Sequence, residues 1–555
     1  MKIRIIPFLA SLNRPSHHLI LLVGLAIIAV VLPAGNWDLR GPDEGRYTQI
    51  AKELLTRDNW LALTVMDRPY DQKPPLTFWM LAGTLELTDG EPASWALRTP
   101  SALAAIAMLI TTYLLALRFG GTRAAYLAGL FLLTSVAWLD DAPTVELNML
   151  YSFFTTTALA VWLMRLDQPR LSWPAAASMW LLVAGAFMVK GPLAILIVLL
   201  TLGSHAAAQR SFGCFRAVRI GWGVALLGVI IGTWFFAQKQ AFGQEFVEGQ
   251  VTGETIDRFL KGDHGKPFYY YFPRFFTAIT GPWTFFLLAA LADAWRRRHQ
   301  LEPWMPPLLG WVSLPFLLLL ASHGKRVPYL LPLLPGMCIL AGLWTSSHLA
   351  THVMRRGYFR VIMTGLLVTT VFMFMAGVML YWPHLLFRID EVRDFWDFSR
   401  IKPWLWIIAG AFMGLLAWQF SISRRTWMEG CITVALGILV LHLVDVNAVR
   451  PAMDPGKSTR MFSDEVERVL RHTGETTLLT LNDLGEPEFH VYGHYRVKAD
   501  RKANIDLTDP NQLRVLALKD DEIVTSGPVA LSAGYKEVFD GTVTKRPVRI
   551  YVRKN

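Results

Sequence analysis

Apolar runs long enough to cross a bilayer recur along the chain from near residue 17 to near residue 447, separated by short polar or basic connections. About twenty apolar residues form a helix that covers the hydrocarbon layer. Within lipid every backbone polar group must be satisfied inside its own element, so runs of this length are helices; a barrel would show short alternating segments instead. The pattern predicts thirteen spans, at 17–34, 95–117, 122–138, 145–164, 172–189, 191–207, 220–238, 274–292, 304–320, 328–349, 361–381, 401–421 and 428–446. The first follows Lys2, Arg4 and Arg14 and so imitates a signal peptide, but no convincing small-residue cleavage motif comes after it. It is expected to remain as the first span.

The connections set the orientation. Arg118 and Arg123, Arg165 and Arg170, Arg210 to Arg219, Arg296 to Arg298, Arg355, Arg356 and Arg360, and Arg424 with Arg425 fall in alternate loops. They share one side only if Lys190-Gly191-Pro192 is a real turn between two spans. The positive-inside rule makes that side cytoplasmic, together with the N-terminus. The opposite side then receives the long connections 33–94 and 239–273, the short loops holding Asp140-Asp141 and His323 to Arg326, and everything after Asn447. The expected organisation is a membrane domain over 1–447, with amphipathic helices in the first outward loop (35–94) and a long loop at 239–273, then a water-facing domain over 448–555.

Within the first loop, GPDEGRYTQIAKELLTRDNW places Tyr47, Ile50, Ala51, Leu54 and Leu55 at helical spacing, opposite Gln49, Lys52, Glu53 and Arg57. This predicts an amphipathic helix in the interface, with Pro42 and the acids in its first turn. Pro69, Pro74 and Pro75 confine YDQKPPLTFW to a mostly extended path. In the tail, TTLLTLND, EFHVYGHY, DEIVTSG and RPVRIYVRK read as strands and FSDEVERVLRHT as an amphipathic helix, giving a small α/β domain. It carries no strong nucleotide-binding signature and suits a lid or stabilising cap.

Composition supports the membrane reading: of 555 residues 53% are hydrophobic and 17% charged, and there are 21 tryptophans, which collect at headgroup level. The net charge of +11 lies mostly in short loops between spans, so it points to anionic lipid and not to nucleic acid. Cys214, Cys338 and Cys431 lie in or beside apolar segments, which leaves neither a disulfide framework nor a thiolate metal site.

Candidate chemistry gathers on the outward side. Asp43, Glu44 and Arg46 follow the first span, where carboxylates cost free energy unless a functional or structural partner compensates; helix capping with a local ion pair fits them equally. Lys73 sits between prolines and could hold an anion, or simply snorkel. Asp140 and Asp141 end the third span, where one could cap the next helix, and Lys190 could anchor a turn. His264 lies among Asp263, Lys266 and the aromatic run Phe268 to Tyr271, and a lone histidine makes no metal site. Lys325, Arg326 and Tyr329 stand at the mouth of the tenth span, where adjacent cations suit a phosphate or a lipid headgroup. Together these residues have what is needed to bind a lipid phosphate and stabilise charge on it as it departs.

GPDEGRY, YDQKPPLTFW and SHGKRVPYLLPLLP resemble the membrane glycosyltransferases of the GT-C fold, in particular the aminoarabinose transferases that modify lipid A, within the wider group related to protein O-mannosyltransferases. The likeness extends over essentially the whole chain. It implies a polytopic all-α membrane protein of about 13 helices with a small C-terminal periplasmic α/β domain, in the bacterial inner membrane. It also implies an enzyme that moves a sugar, with inversion, from a polyprenyl-phosphate donor, typically undecaprenyl phosphate, to lipid A, a glycan or a protein on the periplasmic face. Asp43, Glu44 and Lys73 match the catalytic positions. Arg46, Tyr47, Gln72, Asp140, Asp141, Lys190, Tyr270, Lys325, Arg326 and Tyr329 match substrate- or phosphate-binding positions. His264 looks like a loop histidine that can join a divalent metal. The family often has glutamate where this chain has Gln72, and an amide is a poorer metal ligand, so a metal-independent mechanism is preferred. A monomer is expected. A lipid-linked sugar transporter is the alternative of another class; it is disfavoured because the charges lie beside outward loops and not at midplane.

Overall fold

The computed structural model describes residues 15–57, 60–66, 68–251, 266–351, 427–454, 458–481, 492–493, 496–500, 515–519, 523, 526–543 and 546–553. The spans expected at 361–381 and 401–421, and His264 with its neighbours, lie outside the described residues.

The chain is a polytopic α-helical membrane protein with a β-rich C-terminal region. Helix α1 (Pro15–Ala26) runs into a π-turn over Ile27–Val31, and the first long loop then folds as α2 (Gly41–Arg57) and α3 (Leu76–Glu86). The membrane body continues with α4 (Ser94–Leu133), α5 (Val136–Asp141), α6 (Leu147–Leu163), α7 (Trp173–Lys190), α8 (Leu193–Gln209), α9 (Ile220–Phe242), α10 (Thr284–Arg296), α11 (Met305–Ala321), α12 (Leu334–Thr351) and α13 (Trp427–Val444). Among the described residues five helical segments are long and apolar enough to cross a membrane, and four shorter ones are apolar. Ile20, Val229 and Phe236 are more than 60% exposed, as side chains facing lipid are.

Glycines account for two of the breaks expected between spans. Gly121 (φ 72°) interrupts α4 between the runs expected at 95–117 and 122–138, and Gly191 (φ 102°) ends α7 after Lys190. Both angles favour a residue without a Cβ. A third glycine sets an interhelical distance: a Cβ on Gly342 of α12 would lie 2.7 Å from the Ala128 nitrogen and 2.9 Å from the Ala124 oxygen of α4. Close backbone approach through small residues is how membrane helices gain contact where lipid is as apolar as leucine.

Some boundaries differ from expectation. The run expected as a span at 274–292 begins irregularly, with a π-turn over Phe275–Ile279 and a 3-10 turn over Gly281–Trp283 before α10. The YDQKPPLTFW stretch is non-helical only as far as Pro75, with bends at Gln72, Lys73 and Pro75; Leu76 starts α3, because prolines just before a helix fix its entry without removing an internal hydrogen bond.

The tail forms α14 (Arg460–Thr473), as its amphipathic pattern predicts, and a five-stranded sheet in the order β4-β3-β5-β7-β6. These strands are β3 (Thr477–Leu481), β4 (Arg496–Asp500), β5 (Val515–Lys519), β6 (Tyr535–Val543) and β7 (Arg546–Arg553); β1 and β2 are a two-residue hairpin, Thr64–Val65 with Arg68–Pro69, in the first loop. β3 pairs in parallel with β4 and β5, and β7 pairs antiparallel with β5 and β6. The strands read at TTLLTLND and RPVRIYVRK are present as β3 and β7. Most of EFHVYGHY and DEIVTSG falls outside the described residues, but the strand expected at DEIVTSG is not borne out where it is described, since Ile523 and Gly527 are helical and Ser526 is in a turn, and Tyr492 of EFHVYGHY is likewise in a turn; β4, β5 and β6 were not anticipated. β5 is a short, nearly continuous apolar run buried on both faces, which lacks the alternation that marks a half-exposed strand.

The tail is tied to the start of the first loop. Asn36 donates to Asn447 (2.7 Å), the Leu39 N–H donates to the Tyr492 hydroxyl (2.6 Å), and Arg40 pairs with Asp454 (2.5 Å). Asp38 accepts from Ser458 (2.8 Å) and pairs with Arg460 (2.9 Å).

Candidate active site

The residues singled out in the sequence sit on α2, on the turn into α3, at the α5–α6 junction, at the end of α7 and on the 3-10 turn Val327–Leu333. These elements pack on one another: α3 against α2 and α7, and the 3-10 turn against α5 and α6.

Asp43 lies in the first turn of α2, partly exposed, 3.5 Å from Arg46. Its neighbour Glu44 is 6% exposed, and its carboxylate accepts four hydrogen bonds: from Arg98 Nε (3.3 Å) and the Val145 N–H (2.8 Å) at one oxygen, and from Arg98 Nη2 (3.1 Å) and the Arg40 N–H (2.7 Å) at the other. A carboxylate has about four lone-pair sites, so Glu44, matched with the catalytic positions in the sequence, is saturated by the fold. Arg98, near the start of α4, is fully buried; it also donates to the carbonyls of Ala34, Trp37 and Asp38 (each 2.8 Å) and lies over the Trp37 ring. The sequence reading passed over Arg98 inside an apolar run. Its signal was available there, since a lone arginine within a span needs a partner.

A second buried acid shapes the following loop. Glu53, on α2, accepts from Thr64 Oγ1 and the Met66 N–H (both 2.6 Å), fastening the hairpin that leads to Lys73. Tyr47 is buried with its ring edge-on to Phe78 (5.5 Å), and Phe78 meets Tyr70 in the same way (5.6 Å), which fixes α2 against α3. Lys73 is partly buried and donates to the Gln72 carbonyl (2.8 Å).

The adjacent aspartates separate. Asp140 is largely exposed and pairs with Arg450 (3.1 Å), which also holds Asp445 (2.8 Å). Asp141 is buried and accepts from Asn148 (2.8 Å), and Glu146 accepts from the same amide nitrogen (2.9 Å). Lys190 donates to the other end of that amide, Asn148 Oδ1, and faces the Tyr329 ring (5.1 Å). Burial pushes the Asp141 carboxyl above the ordinary carboxylate range, and the neighbouring charge of Asp140 adds to it. Asp141, Asp43, Lys190 and Glu44 act electrostatically on Glu146, while Glu146 and Asp141, and then Lys73 and Arg326, act on Lys190. The arrangement therefore gathers the acids Asp43, Glu146 and Asp141 and the cations Lys190, Lys73 and Arg326 into one cluster. Glu146 and Asn148 were not anticipated; their cue was polar residues at the start of an otherwise apolar helix.

The pair Lys325-Arg326 also divides. Lys325 is buried and donates to the carbonyls of Lys266 (3.2 Å) and Ser322, so it pins its loop, whereas Arg326 is exposed. Tyr270 does not join the Asn148 cluster among the contacts described; it stacks with Arg274, 3.6 Å from its ring centre. Among the described residues no three His, Cys, Asp or Glu side chains come together as a metal-ligand set.

Residues 72–234 match the family model described as dolichyl-phosphate-mannose-protein mannosyltransferase. An undecaprenyl phosphate-alpha-4-amino-4-deoxy-L-arabinose arabinosyl transferase of Pseudomonas fluorescens is 26% identical over 83% of this chain and 78% of its own length. Its counterpart in Shewanella sediminis is 25% identical over 76% and 74%. The crystal structure of ArnT from Cupriavidus metallidurans bound to undecaprenyl phosphate superposes with a TM-score of 0.78, covering 96% of this chain and 97% of that one at 18% identity. The fold is thus that of the GT-C membrane glycosyltransferases. In sequence the chain is similar to the arabinosyl transferases and, over residues 72–234, to the mannosyltransferase family model just described.

Proposed function

We propose that the protein is a polyprenyl-phosphate-sugar-dependent glycosyltransferase that moves a sugar from an undecaprenyl-phosphate donor to lipid A or another lipopolysaccharide component. The observation that carries this reading is the convergence of Asp141, Glu146 and Lys190 on Asn148, with Asp43, Lys73 and Arg326 within electrostatic reach of that cluster. Chain-wide similarity to arabinosyl transferases supports the choice of donor.

In the reaction the acceptor oxygen attacks the anomeric carbon, the bond from that carbon to the phosphate oxygen breaks, and polyprenyl phosphate leaves with the electron pair. Lys73 and Arg326 neutralise the leaving phosphate, with charge-assisted contacts that strengthen as its charge develops. Where the acceptor is a hydroxyl, Asp43 takes its proton. A lipid A phosphate is already anionic and needs no base, and Asp43 then orients the acceptor or supports the charge that develops on the donor sugar. Glu44 and Arg98 hold the loop that presents Asp43, and no step is routed through a metal.

In this reading the protein lies in the bacterial inner membrane as a monomer with thirteen spans. Its N-terminus is cytoplasmic, its membrane domain covers 1–447 and its 448–555 domain is periplasmic. The mannosyltransferase family match favours a second acceptor class, a protein or glycan hydroxyl.

Purified protein incubated with undecaprenyl-phosphate sugars and each acceptor class, with products identified by mass, separates these readings. Transfer at the unmodified rate by folded Asp43→Asn and Lys73→Ala variants would refute the assignment. Movement of donor across vesicles without its consumption would support a transporter instead.

A further inference from the structure

Asn148 joins two acids and a lysine of the site. It is 5% exposed; its amide nitrogen donates to Asp141 Oδ1 (2.8 Å) and Glu146 Oε2 (2.9 Å), and its oxygen accepts from the Lys190 ammonium. A side-chain amide has two N–H donors at one end and an acceptor at the other. Here each end meets the group it suits: carboxyl oxygens against the NH2 group, the cation against the oxygen. Aspartate would present acceptors to all three neighbours, and an aliphatic side chain would satisfy none.

Without the amide, an ammonium and two carboxylates in so small a space would pair directly, because attraction between close charges is strong away from water. With it, each charge has a neutral partner. Lys190 remains turned toward Tyr329, whose ring centre is 5.1 Å from the ammonium, and within electrostatic reach of Lys73 and Arg326.

We propose that Asn148 is a positioning residue that holds Lys190 off Asp141 and Glu146 and so keeps its charge available to the donor phosphate. This makes Lys190 the third cation of the phosphate subsite, and it rests on the reading of the site as a polyprenyl-phosphate site. The role belongs to the amide's polarity and not to its bulk: Asn148 acts through Lys190 and need not touch the lipid.

The test is binding of undecaprenyl phosphate to the full-length protein in lipid nanodiscs, followed by tryptophan fluorescence, with thermal unfolding recorded for each variant. Asn148→Asp and Lys190→Met each raise Kd by about tenfold or more, the cost of losing one charge-assisted contact to the phosphate. The double variant binds no more weakly than Lys190→Met alone, because both changes remove the same interaction. Asn148→Gln, which keeps the amide though not the shape, binds more tightly than the isosteric Asn148→Asp. A merely structural asparagine would show no such preference.

Folded Asn148→Asp protein that binds within about twofold of the native protein, or losses that multiply in the double variant, would overturn the proposal. If Asn148→Asp does not fold, Asn148→Ser, which removes the amide without adding charge, carries the same comparison with Lys190→Met. Native protein that fails to bind undecaprenyl phosphate overturns the donor reading itself. Native protein that binds it alongside an equally tight Asn148 variant overturns only the role of Asn148.

Discussion

Replacing Arg98 with methionine tests whether the first loop hangs on one buried ion. Methionine keeps much of the length but has no donor. The change removes two of the four hydrogen bonds to Glu44, leaving only the N–H groups of Arg40 and Val145, and takes a donor from the carbonyls of Ala34, Trp37 and Asp38. Glu44 would then be a buried carboxylate without its counter-ion. Removing one partner of a buried pair costs about 3–5 kcal/mol, chiefly because the remaining charge is uncompensated. Global stabilities are about 5–15 kcal/mol, so this is a large share. The second variant, Glu44→Leu, strands the guanidinium instead. Combining the two removes both charges, so the double variant loses less than the sum of the singles. Equilibrium denaturation in mixed micelles measures all three, and sugar transfer is followed in parallel because Asp43 shares the first turn of α2 with Glu44. An Arg98→Met protein within about 1 kcal/mol of the native one, or strictly additive single losses, would refute the reasoning.

Asp43→Asn is expected to lower transfer to a hydroxyl acceptor by about a hundredfold or more while leaving the unfolding midpoint near the native value, since a positioned base contributes on that scale and Asp43 is partly exposed. Gly342→Ala is expected to cost about 1–3 kcal/mol in the same denaturation assay, because the new methyl meets backbone and not a movable side-chain end. The raised Asp141 carboxyl means that the folded state holds a proton more tightly than the unfolded chain does. Its contribution is therefore fully present below the ordinary carboxylate range and is lost as pH rises toward the folded value. Asp141→Asn should flatten that decline in a stability–pH profile, and a variant profile parallel to the native one would refute it.

The sequence and the structure divide the problem along a physical line. Apolar run length determined the membrane class, because a helix must cover a fixed hydrocarbon thickness whatever its neighbours do. The alternation of arginines required a break at Lys190-Gly191-Pro192, and Gly191 supplies it. The amphipathic spacing after Tyr47 determined α2, and TTLLTLND and RPVRIYVRK their strands. Acid-rich and base-rich motifs were also legible as candidates, since charge at the end of an apolar run needs a reason.

Adjacency alone could not tell Glu44 from Asp43, Asp140 from Asp141, or Lys325 from Arg326. Each pair sits side by side in sequence, yet one member is spent on the scaffold or on an ion pair: Glu44 on Arg98, Asp140 on Arg450, Lys325 on backbone carbonyls. The partners are supplied by other helices, so only packing could assign them. The same holds for Asn148. A single asparagine at the head of an apolar helix says nothing by itself, and its meaning comes from α7 bringing Lys190 to one end of its amide while the α5–α6 turn brings two carboxylates to the other.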